Sequence, residues 1–121
     1  MQKATAVDFA LLLDMCAKAQ PKVRIRFSTS NPQDMGVEVI DTMSKHTNIC
    51  DHIHLPVQSG STSVLKRMNR QHTREEYLEL IAHIRKIIPE CAISQDMIAG
   101  FCGETEEDHQ DTLSLMNSVK Y

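Results

Sequence analysis

In this 121-residue chain, three short polar stretches each follow an apolar run. Ser28, Thr29, Ser30 and Asn31 follow VRIRF. Gln58, Ser59, Gly60 and Ser61 follow DHIHLPV. Gln95 and Asp96 lie within CAISQDMI, and Gly100, Phe101, Cys102, Gly103 and Glu104 come after it. Together they offer hydroxyls, amides, a carboxylate and glycine-bared backbone. That set suits a ligand with hydroxyls, an ammonium and ring nitrogens, as nucleosides and amino acids have. Small polar residues also cap helices after strands, and Ser61 and Thr105 are assigned that role. Gln58 is less easily explained by a turn. A carboxylate inside an apolar strand is costly unless paired, so Asp96 is expected to face the ligand.

A second ligand set competes. Cys50, His52 and His54 alternate along one strand, so all three could point the same way. C-x-H-x-H would supply three zinc-type ligands. Cys50, however, falls at the strand's start, away from the expected ligand edge. The four cysteines (Cys16, Cys50, Cys91 and Cys102) match no tight metal motif and no small secreted scaffold. They are expected to be free, mostly buried thiols of a cytoplasmic protein. The methionines fall in apolar stripes and serve as core filler.

The elements that would position these groups alternate. Residues 5–19 predict a helix, with Thr5 capping the amide of Asp8 and a stripe of Phe9, Leu12, Leu13 and Cys16. VRIRF, 23–27, predicts a strand with Val23, Ile25 and Phe27 on one side. A weaker helix spans about 33–45, a second strand 51–57 and a short helix 61–69. From Thr73 to Ile88 the pattern is strongly helical. Thr73 and Glu76 form a capping box, and Pro89 stops the run. Residues 91–98 predict a third strand, and Thr105 opens a last helix. Strands separated by helices run parallel with right-handed crossovers. In such sheets ligands bind at the carboxyl ends of the strands. The fold class expected is α/β: a partial TIM-like (β/α) barrel segment with about three parallel strands.

Composition bounds the rest. Hydrophobic residues make up 41% and aromatics 4%, so the core must rest on Leu, Ile, Val and Met. A net charge of −3 does not favour nucleic-acid binding over the whole surface. The charge is uneven, with Lys66, Arg67, Arg70 and Arg74 close together and an acidic run from Glu104 to Asp111. Both are read as solvated helix ends. No run approaches membrane-spanning length, and no signal peptide is visible.

At this point the motifs match a family. VRIRFSTSNPQDM, HLPVQSGSTSVLKRMNRQHTREEYLELIAHIRKIIP and SQDMIAGFCGETEEDH resemble the radical S-adenosylmethionine methylthiotransferases, and most closely their tRNA-modifying members. The resemblance runs from about Phe9 to Tyr121, and its specificity lies in the three motifs occurring in order. It implies an enzyme that adds a methylthio group to an isopentenylated adenosine beside the anticodon of tRNA. It implies S-adenosylmethionine held by a barrel [4Fe-4S] cluster on a CxxxCxxC loop, and cleavage of that cofactor to a 5′-deoxyadenosyl radical. It places Ser28, Thr29, Ser30, Gln58, Ser59 and Asp96 on cofactor-facing loops, and lays 97–101 against the adenine.

The chain departs from the family pattern in two ways. CxxxCxxC is missing from it, as are the family's N-terminal cluster domain and C-terminal RNA-binding domain. Cys102 stands where proline is usual and Gln95 where threonine is common. Residues 1–121 are therefore expected to be a fragment of the barrel domain, inert alone and without cluster ligands. Open sheet edges lead us to expect self-association of such a fragment. The rival from another class is a non-enzymatic module, binding either RNA through Lys66–Arg74 or zinc through Cys50, His52 and His54.

Overall fold

A computed structural model describes residues 6–29 and 31–121; Thr5 and Ser30 lie outside them. Helix α1 spans Phe9–Ala19, α2 Val37–Lys45, α3 Thr62–Arg67, α4 Arg74–Ile87 and α5 Glu106–Val119. Strand β1 is His52–His54 and β2 is Ala92–Ser94, and the two pair in parallel with Ile53 opposite Ile93. A 3₁₀ turn covers Pro32–Asp34.

The helix starts follow from local chemistry. Thr73 and Glu76 close a capping box on α4, and Thr105 and Asp108 close another on α5. Ser61 caps α3. Helix α1 begins later than the sequence suggested. Asp8 is its cap and accepts from the Leu11 amide at 2.8 Å. The expected α1 stripe is also corrected. Leu13 and Ala17 are buried, whereas Phe9, Leu12 and Cys16 are exposed. The rotation is set by Asp14, whose carboxylate pairs with His46 Nε2 at the end of α2 (2.7 Å) and with Lys18 Nζ (2.7 Å). Both partners hold Asp14 below the usual carboxylate range, the Lys18 bond most strongly.

The pairing of the first apolar run also differs from the expected strand. Residues 23–27 form no regular strand, and a single parallel bridge joins Ile25 to Ile49. Ile25 donates to Asn48 O and accepts from Cys50 N. The run therefore pairs with the turn ahead of β1 and not with β1 itself. Val23 is exposed, so its half of the predicted face has nothing to pack on. Asn48 holds the segment by donating its amide to the carbonyls of Ala17, Gln20 and Val23.

The core lies between the sheet and the helices. Ile53, Leu55 and Val57 meet Ile40 and Met43 of α2, Tyr77 and Ile84 of α4 and Leu115 of α5, all essentially without solvent contact. Burial of these side chains drives the association. The Tyr77 hydroxyl donates to Leu55 O, and burial raises its pKa. The opposite face of the sheet carries His52, His54 and Ser94, all half-buried. No described helix is long and apolar enough to cross a membrane.

Candidate functional site

The carboxyl ends of β1 and β2 remain paired beyond the regular strands. Leu55 N donates to Ser94 O, Gln58 N to Asp96 O and Ile98 N to Gln58 O, at 2.8–3.1 Å. The loops after Val57 and after β2 are thus interlocked through backbone. The Thr29 hydroxyl donates to the carbonyl of His54. This brings the loop after Phe27 to the same end. Gln58 holds a left-handed backbone, φ +73°, which is unusual for a residue with a Cβ. Gln58, Ile98 and Phe101 share the wall of a cleft of about 380 Å³. Ser28 is exposed and lines, with Thr29 and Phe9, a smaller cleft of about 220 Å³.

Behind this edge lies a polar cluster that the sequence did not reveal as a unit. His52 Nε2 and His54 Nδ1 share the hydroxyl of Ser94 at 3.1 and 2.9 Å. His54 Nε2 faces Asp96 Oδ2 at 3.4 Å. The expectation that Asp96 is a desolvated carboxylate within a strand is corrected. It lies past the end of β2, and its side chain is 72% exposed. It is poised at the rim, within reach of solvent or ligand. The C-x-H-x-H reading gains no geometry. Cys50 sits in the bridge to Ile25, and both histidines are taken up by Ser94. Among the described residues no group of three or more His, Cys, Asp or Glu side chains is arranged to hold a metal ion.

QSGS turns out to be a joint as well as a rim. Ser59, Gly60 and Ser61 are all buried. The Ser59 hydroxyl lies 3.4 Å from that of Thr112 in α5 and accepts from Ser61 N at 3.1 Å. Gly60 N donates to Thr112 Oγ1 at 2.9 Å, and the Ser61 hydroxyl donates to Asp108 Oδ1 at 2.6 Å. So Ser59 and Ser61 secure the loop against α5, while Gln58 stands at the open edge. The Ser61 hydroxyl first, and then the Thr105 amide, hold Asp108 below the usual carboxylate range.

The cations between 66 and 74 are not uniformly solvated. Arg67 Nη1 donates to the carbonyls of Cys102 (3.2 Å) and Gly103 (2.6 Å), and Nη2 pairs with Asp108 Oδ2 (3.2 Å). Arg74 reaches the carbonyls of Gly60 and Asp111 and the hydroxyl of Ser114. Both guanidiniums close internal contacts across more than ten residues of sequence, which lowers the charge available for an RNA backbone. The loop after β2, which Arg67 grips, is also held from within. Glu104 Oε2 accepts from Gly100 N at 2.5 Å and from Phe101 N at 2.9 Å.

Residues 4–116 match the model of the radical SAM superfamily. The chain belongs to the radical SAM superfamily. Similar relatives carry the name tRNA-2-methylthio-N(6)-dimethylallyladenosine synthase. That of Christiangramia forsetii is 67% identical over the whole chain, which covers 25% of the relative. That of Flavobacterium psychrophilum is 69% identical, with the same coverage. That of Chlorobium luteolum is 56% identical over 98% of the chain and 26% of the relative. The chain spans about a quarter of the length of these relatives.

Proposed function

We propose that this chain is a segment of a radical SAM barrel from a methylthiotransferase that modifies isopentenylated adenosine in tRNA. The observation that carries the reading is the meeting of the loops after Phe27, Val57 and Ile98 at one end of parallel strands. The half-open face bearing His52, His54 and Ser94 supports a partial barrel, since the interior of a barrel is lined by one face of each strand. The names of the relatives support the substrate class.

The residues present fit S-adenosylmethionine. Gln58 has a side-chain amide with no hydrogen-bond partner among the described residues, and Asp96 offers an open carboxylate. Ile98 is 43% exposed beside them, although it is a large apolar residue. A Cβ built at Gly100 meets nothing within 4 Å, so the backbone there is open to close approach. In this reading Asp96 accepts from hydroxyls or an ammonium, and His54 Nε2 steadies its carboxylate. Gln58 both donates and accepts, and Ile98 supplies an apolar wall. Ser28 adds a hydroxyl from the first loop, Thr29 ties that loop to His54, and Ser59 fixes the loop that carries Gln58. Bound there, the cofactor would supply its methyl group and the radical chemistry of the family.

A [4Fe-4S] cluster does not fit the cysteines of this chain. Cys50 and Cys91 precede their strands, Cys102 follows β2, and Cys16 is on α1. Burial also pushes the Cys91 thiol up to about 11, away from the thiolate a cluster needs. Cluster ligands belong to other parts of the parent protein in this reading.

The test compares two preparations under the same reductant. The complete protein carrying this segment should convert isopentenylated adenosine in tRNA to its methylthio derivative, read by nucleoside mass spectrometry. The 121-residue chain alone should release no 5′-deoxyadenosine from S-adenosylmethionine. Cofactor cleavage by the isolated chain, or an unmodified tRNA with the complete protein, contradicts the proposal.

A further inference from the structure

Residues 97–104 form the part of the rim that follows β2. Gly100 and Gly103 both have left-handed backbones, φ +77° and +75°, and glycine leaves such a loop many alternatives. Glu104 removes part of that freedom by collecting the amides of Gly100 and Phe101. The carbonyls of Cys102 and Gly103 remain, and Arg67 takes both. The approach is close: a Cβ at Gly103 would sit 2.5 Å from Arg67 Nη1. Arg67 is itself held, because Nη2 pairs with Asp108, and Asp108 is fixed by Ser61 and by the amide and hydroxyl of Thr105. A planar guanidinium can hold two carbonyls through one nitrogen and a carboxylate through another. A lysine ammonium is a single point and cannot span both.

We propose that Arg67 is a positioning residue for the nucleoside-bearing cofactor, fixing the 97–103 backbone against Gln58 and Asp96 and so setting cofactor affinity. The proposal rests on the reading of the rim given above. Arg67 acts through the loop: its guanidinium is spent on backbone carbonyls and Asp108. The effect should therefore fall on cofactor binding and not on recognition of RNA phosphate.

The experiment uses the complete protein with Arg67→Lys and Arg67→Gln. Three readouts are needed: calorimetric affinity for S-adenosylhomocysteine, the separate KM values for S-adenosylmethionine and tRNA with kcat, and Tm. Loss of charge-assisted bonds should weaken S-adenosylhomocysteine binding and raise the cofactor KM about tenfold in both variants. The tRNA KM and the saturated kcat should stay within about twofold, and lysine should not rescue. A merely structural role would lower Tm and kcat together and be rescued by lysine; that result overturns the proposal. So does an unchanged S-adenosylhomocysteine affinity, or a rise confined to the tRNA KM. Asp96→Ala in the same assay separates the two levels. If it leaves S-adenosylhomocysteine binding unchanged, the rim reading fails; if it weakens binding while the Arg67 variants do not, only this inference fails. Should both Arg67 variants misfold, Asp108→Asn keeps the arginine and removes its anchor, and unchanged affinity there also overturns the proposal.

Discussion

Gly60→Ala should remove a large part of the stability of this chain. An added Cβ would lie 2.6 Å from Asp111 O and 2.6 Å from Thr112 Cα, both backbone atoms of α5. Neither can swing away as a side-chain tip could, so α5 must retreat. Retreat breaks the bond from Gly60 N to Thr112 and strains those from Ser61 to Asp108 and from Arg74 to Asp111. Overpacking a core costs about 1–3 kcal/mol by itself, and each lost buried hydrogen bond adds about 1 kcal/mol. A total of about 2–4 kcal/mol is expected, against about 5–15 kcal/mol for a whole domain. Urea unfolding measures it. Gly100→Ala is the contrasting variant: no atom blocks its Cβ, and only the left-handed φ resists, at about 1 kcal/mol. If the two variants unfold at the same urea concentration, α5 is not seated on Gly60.

The second large effect concerns ligand affinity. Asp96→Ala removes an open carboxylate whose neighbour is His54 at 3.4 Å. A bond to a charged group contributes about 1.5–3 kcal/mol, so S-adenosylhomocysteine binding to the complete protein should weaken about 10–100-fold. Stability should barely move, because the side chain is exposed. Gln58 needs a different substitution. Its φ of +73° would strain alanine as it strains glutamine, whereas Gln58→Gly keeps the backbone and deletes the amide. A loss of about fivefold is expected, from roughly 1 kcal/mol of neutral hydrogen bonding. Calorimetry showing unchanged affinity for both variants would remove these residues from the site.

What could be read ahead of the structure was mostly local. The Thr73 and Glu76 box, the Thr105 cap and the stop at Pro89 depend on groups three or four residues apart, and these elements formed where expected. Parallel pairing was also legible, because helices separate the apolar runs. The rotation of α1 was not, since it depends on His46 meeting Asp14 across 32 residues. Strand 23–27 shrank to one bridge because alternation cannot say which neighbour it will meet. Asp96 was expected within a strand, whereas the strand ends before it and leaves it solvated at the carboxyl end of the sheet. Arg67 and Arg74 looked like surface charge because their carbonyl partners lie 14 to 37 residues away. The glycine of QSGS gave a turn in sequence and a helix seat in space, for the same reason.

Hydrogen–deuterium exchange on the complete protein, with and without S-adenosylhomocysteine, addresses the shared rim most directly. Protection should gather in peptides covering 28–29, 54–60 and 95–104, which meet at the carboxyl ends of β1 and β2. Peptides at the opposite end, covering 46–51 and 88–92, should exchange as before. Protection at that opposite end, or in only one of the three loops, would contradict a common nucleoside-binding edge.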